Sequence, residues 1–244
     1  MTAADILVSL VILVGPVWET RVGLPRLRAA IAAGKPGALL RGYTQTIAGA
    51  WGLTALALAV WVIPGRPLAS LGLRLPEGWR AGLGLGLIAA LVVLMILQVR
   101  ALRTQAATRA KVRPQVESFA WFLPRTPVEL SRFTSLSVTA GICEELLCRG
   151  WFFAVLAPWL PPIVTLFATS IFFGLGHWYQ GPAGVVKTGV TGLIMGVVYL
   201  VTGSLLVPMI LHAVVDIGGG HSAFLVLNDS PAPEPVPTEV PALS

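Results

Sequence analysis

Apolar runs bounded by short polar stretches recur along the chain, and most have the length of a bilayer crossing. A helix needs roughly 20 apolar residues to span ~30 Å of hydrocarbon. Runs at 3–18, 43–63, 81–99, 133–156, 163–178, 182–201 and 204–227 meet or approach that length. The first and fifth are short, and Gly218, Gly219 and Gly220 interrupt the last. The pattern predicts an all-α, polytopic transmembrane helical bundle of about seven spans, with six to eight as the range.

The polar stretches set an orientation. Arg21, Arg26, Arg28, Lys35 and Arg41 follow the first run, and Arg66, Arg74 and Arg80 follow the second. Arg100, Arg103, Arg109, Lys111, Arg113, Arg125 and Arg132 follow the third. The positive-inside bias puts the first and third loops in the cytoplasm, which with seven spans leaves the N-terminus outside. Composition agrees with a membrane chain: 55% of residues are hydrophobic and 11% charged, against about 25% charged in an ordinary soluble domain. A soluble enzyme, a disordered chain and a nucleic-acid-binding protein are excluded on that ground. The net charge of +6 reflects loop topology rather than a nucleic-acid face.

Other features read as structure. Cys143 and Cys148 are five apart in one run, out of disulfide geometry on a helix. Asp5 and the lack of a basic n-region argue against a removable signal peptide. The eight tryptophans lie mostly near predicted span ends, as an interfacial belt would. Gly82, Gly84 and Gly86, like Gly189, Gly192 and Gly196, read as small-residue helix packing in lipid. The chain divides into N-terminal helices and basic loops (1–130), a core (131–228) and a Pro-rich tail expected to be disordered (229–244).

Candidate chemistry lies in 133–228. Its formal charges are Glu144, Glu145, Arg149, Lys187 and Asp216, with His177, His212 and His221 beside them. Lys187 is placed to snorkel and His221 reads as a local polar group. The rest fall inside apolar runs, where a charge costs about 2.5–3.5 kcal/mol and must be paired, neutralised or wetted. Glu145 and Arg149 are i,i+4 and can pair, and Glu144 is turned ~100° away. His212 and Asp216 are also i,i+4, and Phe173 shares a face with His177. Such a set can fix helix register, conduct protons, or hydrolyse a bond. In the last case Glu144 and His177 hold and deprotonate a water while His212 donates to an oxyanion. The same side chains, Glu144, His177, His212 and Asp216, are the ligands if zinc is bound, although the helical zinc signature of two histidines flanking a Glu is absent.

Three motifs stand in order: Glu144-Glu145-Leu146-Leu147-Cys148-Arg149 as EExxxR, Phe173-Gly174-Leu175-Gly176-His177 as FxxxH, and His212-Ala213-Val214-Val215-Asp216 as HxxxN/D. Together they resemble the CPBP family of intramembrane proteases, the CAAX-protease and bacteriocin-processing family, over roughly 131–218. The resemblance implies an all-helical membrane endopeptidase acting near the cytoplasmic face. In it Glu144 and His177 activate water, and His212 with Asp216 stabilises the oxyanion. Glu145, Arg149 and Phe173 are supporting residues, with the Glu145–Arg149 pair orienting Glu144. The CAAX-processing relatives carry Asn where this chain has Asp216, and an ionised carboxylate cannot donate. Asp216 is therefore protonated, orients His212, or ligates a metal. No cofactor is assigned, with zinc as the open possibility. Expected partners are a hydrophobic or lipidated peptide, or a membrane-protein tail, within the lipid bilayer, and no nucleic acid. Arginine outnumbers lysine fourteen to three, which with abundant Ala and Gly suggests a bacterial cytoplasmic membrane. A non-proteolytic scaffold or bacteriocin self-immunity protein on the same fold is the alternative, and a transporter follows.

Overall fold

The computed structural model describes residues 1–117 and 119–229, and these residues form helices and turns without strands. The first helix, α1 (Ala3–Trp18), runs through a π turn (Glu19–Gly23) into α2 (Leu24–Ala32). Next come α3 (Ala38–Val62), α4 (Trp79–Thr104) and α5 (Ala106–Glu117). A second π turn (Leu146–Trp151) joins α6 (Pro127–Glu145) to α7 (Phe152–Leu156). The chain closes with α8 (Pro162–Gly176), α9 (Gly181–Thr202) and α10 (Leu206–Leu227).

Local chemistry sets these boundaries. Thr2 and Thr126 open α1 and α6 with capping boxes completed by Asp5 and Glu129, which satisfy first-turn amides that have no partner within the helix. The Pro161–Pro162 step separates α7 from α8, since neither proline supplies an amide to continue a helix.

Each of the seven apolar runs falls on helix, but the structure departs from the expected span count and boundaries. The first passage continues to Ala32 and takes in Arg21, Arg26 and Arg28, which were expected in a loop. The third loop contains α5, a charged helix. The glycine triplet does not break α10. Gly218 and Gly220 instead admit Met95 and Phe133, whose side-chain atoms lie 2.5 Å from where a Cβ would stand. Five helical stretches are long and apolar enough to cross a membrane: Ala3–Ala32, Ala38–Val62, Trp79–Thr104, Trp178–Thr202 and Leu206–Leu227. The α8 passage is shorter, and α6–α7 carries Glu129, Arg132, Glu144, Glu145 and Arg149, which lower its apolar character. Large apolar side chains on α1, α4, α8 and α9 face outward, as in a protein solvated by lipid.

The main core joins Val8, Ile12, Ala57, Trp61, Leu146, Trp151, Leu205 and Met209. Trp61 and Trp151 are thus core residues rather than belt residues. Their rings meet edge-on at 5.8 Å, and Trp151 Nε1 donates to Ser9 Oγ at 3.0 Å. Expected small-residue packing holds at Gly84, where a Cβ would lie 2.9 Å from Val207, whereas Gly82 and Gly86 face open space. Two close helix approaches position the polar residues. A Cβ on Gly141 of α6 would lie 2.7 Å from Met209 O of α10, and one on Gly174 of α8 would lie 2.6 Å from Val185 O of α9. Asp5 is buried and paired with Arg66 at 2.7 Å, while the Arg66 guanidinium lies 4.1 Å from the Trp61 ring centre. Asp229, where the Pro-rich tail was expected to begin, is held by Arg109 at 2.7 Å; the remainder of that tail, 230–244, lies outside the described residues.

Candidate active site

Glu145 closes α6 and Arg149 lies in the π turn that follows, both fully buried. A π turn inside a helix is uncommon and often marks a functional segment. Here it keeps the two side chains together: Arg149 Nη1 donates to Glu145 Oε1 at 3.0 Å, confirming the expected pair. Arg149 then reaches two more helices. Its Nη2 donates to Gly192 O of α9 at 2.8 Å, and its guanidinium lies 4.5 Å from the centre of the Phe173 ring of α8. A planar fork that donates in two directions while stacking on a ring is arginine chemistry that lysine does not reproduce.

Glu145 makes a second contact, which no expectation named: its Oε1 also accepts from His212 Nδ1 of α10 at 2.9 Å. The direction follows from the donors: Glu145 is already paired with a guanidinium, so the imidazole provides the hydrogen. That fixes the ring and turns Nε2 toward Asp216, 3.6 Å from Oδ2. Glu145 Oε2 is buried without a hydrogen-bond partner among the described residues.

His177 ends α8 and is held from its own helix. Its Nδ1 lies 2.8 Å from Phe173 O, and since a carbonyl only accepts, Nδ1 carries the hydrogen. In the neutral ring Nε2 then keeps its lone pair, the form required of a base or water holder. The Phe173 ring touches both imidazoles, with centroids 4.9 Å from His177 and 5.8 Å from His212. This aromatic side chain therefore spaces the second and third motifs.

The cluster grades from buried to exposed. The Glu145 side chain is fully buried, that of His212 is 10% exposed and that of Asp216 is 38% exposed. Glu144 and His177 are half-buried. Glu144 has no hydrogen-bond or ion-pair partner among the described residues, yet it lies within electrostatic reach of His212 and of the Tyr179 hydroxyl. Tyr179, whose ring is 5.8 Å from that of His177, was missed in the sequence. Its signal was only its place two residues after a candidate histidine. Gly192 was read as packing, and its carbonyl role carries no sequence signal. Of the residues set aside, His221 donates to Ile217 O of its own helix at 2.9 Å and Lys187 is exposed. Cys143 and Cys148 are free and buried.

Among the described residues no three His, Cys, Asp or Glu side chains converge as metal ligands. The Nδ1–H groups of His177 and His212 donate to the Phe173 carbonyl and to Glu145, which leaves Nε2 as the remaining ring position of each, the arrangement that metal-ligating histidines also show.

These features define an all-helical integral membrane protein with a polar, partly exposed cluster built from α6 and its π turn, α8 and α10, with one backbone carbonyl of α9. Residues 126–218 match the family described as type II CAAX prenyl endopeptidase, Rce1-like. That block, which holds all three motifs, is a domain of the CPBP, or CAAX-protease, family. Neither the curated proteins nor the solved structures include a match to this chain.

Proposed function

We propose that the protein is an intramembrane endopeptidase that hydrolyses a peptide bond near the cytoplasmic membrane face with a Glu/His-activated water. The observation that carries this reading is the meeting of the three motifs around Phe173, which leaves the Glu144 carboxylate and His177 Nε2 unengaged. Glu144 takes the water proton while His177 Nε2 holds the water on the carbonyl carbon. The oxyanion then meets the His212–Asp216 pair. When Nε2 or Oδ2 carries a proton, that group donates to the oxyanion; with neither protonated, the pair repels it. Glu145 and Arg149 set the ring plane of His212 and take no proton. The proton on Glu144 passes to the leaving amine, which restores the carboxylate. The substrate is a hydrophobic or lipidated peptide, or a membrane-protein tail, reached laterally from a bacterial cytoplasmic membrane.

Comparison of membrane peptides by cleavage-site mass spectrometry, from cells with active and Glu144→Ala protein, tests this reading. Peptides ending at a defined bond are expected only with the active protein, with His177→Ala matching Glu144→Ala. Identical peptidomes would favour the scaffold or immunity alternative. The Glu/His reading assigns no metal, so chelation is expected to leave activity intact; stoichiometric zinc lost together with activity would reverse that.

A further inference from the structure

At the end of the bundle where α3 ends and α4 begins, an open groove of about 420 Å³ is lined by Arg74, Glu77, Trp79, Arg80, Thr202 and Gly203. Gly203 ends α9 in the left-handed region, with φ +66°; a Cβ there would lie 3.1 Å from Arg80 Nη1 and 3.3 Å from Arg74 Nη2. Two guanidinium groups therefore converge on one point. Capping of α9 accounts for only part of this. Arg74 Nε donates to Gly203 O at 2.9 Å, and Ser204 Oγ donates to Arg74 O at 2.6 Å, which holds the Arg74 backbone in place. Arg80 makes no side-chain hydrogen bond, and neither arginine has an ion-pair partner, among the described residues. Glu77 lines the groove but pairs with neither.

Like charges held this close repel unless an anion lies between them. The positive end of the α4 dipole, beginning at Trp79, adds to the same field. Two forked donors with open N–H groups match the oxygens of a phosphate. Trp79 and Leu75 flank the groove at 68% and 75% exposure, and the Arg80 guanidinium lies 5.7 Å from the Trp79 ring centre. Exposed apolar side chains beside a cationic cleft suit the interfacial depth of a phospholipid.

We propose that Arg74 and Arg80 form a binding site for an anionic phosphate group, carried by a phospholipid headgroup or free in solution. The test titrates the full chain in neutral detergent with dioleoylphosphatidylglycerol, dioleoylphosphatidylcholine and inorganic phosphate. Native mass spectrometry and thermal shift read the binding. Saturable binding of phosphatidylglycerol is expected, weakened about tenfold or more in Arg74→Gln/Arg80→Gln and tightened about threefold in Glu77→Gln. If inorganic phosphate alone saturates and needs the same arginines, the site stands with a soluble ligand. Phosphatidylglycerol binding unchanged in both variants overturns the proposal, as does equal binding of the zwitterionic lipid. Glu77→Gln changes one exposed side chain, so it reads the site even if the double variant fails to fold. Peptide cleavage plays no part in the readout, which is independent of the proteolytic reading.

Discussion

At the level of single residues, Arg149 and Glu145 separate stability from chemistry. Arg149 links α6, α8 and α9 and neutralises a carboxylate with no access to water. Removing one partner of a buried pair typically costs about 3–5 kcal/mol because the other charge is left uncompensated. Arg149→Ala is expected to lower stability by that order, measured by denaturant unfolding in detergent. Glu145→Gln/Arg149→Met should regain part of the loss, since no charge is then stranded, without regaining activity. Glu145→Gln alone removes the anionic acceptor of His212 Nδ1, and kcat is expected to fall about 100-fold with KM little changed. A purely structural pair would lose stability and leave kcat per folded molecule intact. The motifs made these pairings legible, because i,i+4 spacing is local geometry. The bond from Glu145 to His212 joins residues 67 apart in sequence, and no periodicity reports it.

Between helices, close approach decides what the polar residues can do, and glycine permits it. The Gly141 approach to Met209 O is against backbone, which cannot rotate away. Gly141→Ala is therefore expected to push α10 from α6 and part Glu145 from His212, with activity lost in step with a Tm decrease. At Gly218 the obstructing group is the flexible Met95 side chain, so Gly218→Ala should be milder in the same thermal assay. Gly82→Ala and Gly86→Ala meet nothing and should stabilise by about 0.5–1 kcal/mol each through helix propensity. These glycines look alike in sequence. Only their neighbours distinguish them, which is why the triplet read as a break and the Gly82–Gly86 stretch as a uniform packing face. The same holds for the tryptophans: Trp61 and Trp151 lie near predicted span ends, yet the contact of α1 with the π turn buries them.

For the whole molecule, the alternating passages place the loops after α2 and α4 on one side and the linker before α4 on the other. Cysteines introduced at Lys35 and Gln105 are expected to react with a membrane-impermeant reagent only from the cytoplasm, and one at Leu75 only from outside. The two natural cysteines are buried and should stay silent. Labelling of Lys35→Cys and Leu75→Cys from the same side would reject the topology.

Hydrophobic run length and scarce charge by themselves determined a helical membrane chain, because hydrocarbon demands internally bonded backbone and apolar side chains; the expected count of about seven compares with five stretches long and apolar enough to cross among the described residues. Three spaced motifs also named Arg149, His177 and His212, which the fold gathers around Phe173. Tertiary structure alone decided that Glu145 bonds to His212, that Phe173 lies between the two imidazoles, and that α5 is a helix. It also decided that two arginines from separate turns converge on Gly203. Those relations depend on the angle and closeness of packed helices, set by side-chain fit between segments far apart in sequence, where local periodicity holds no information.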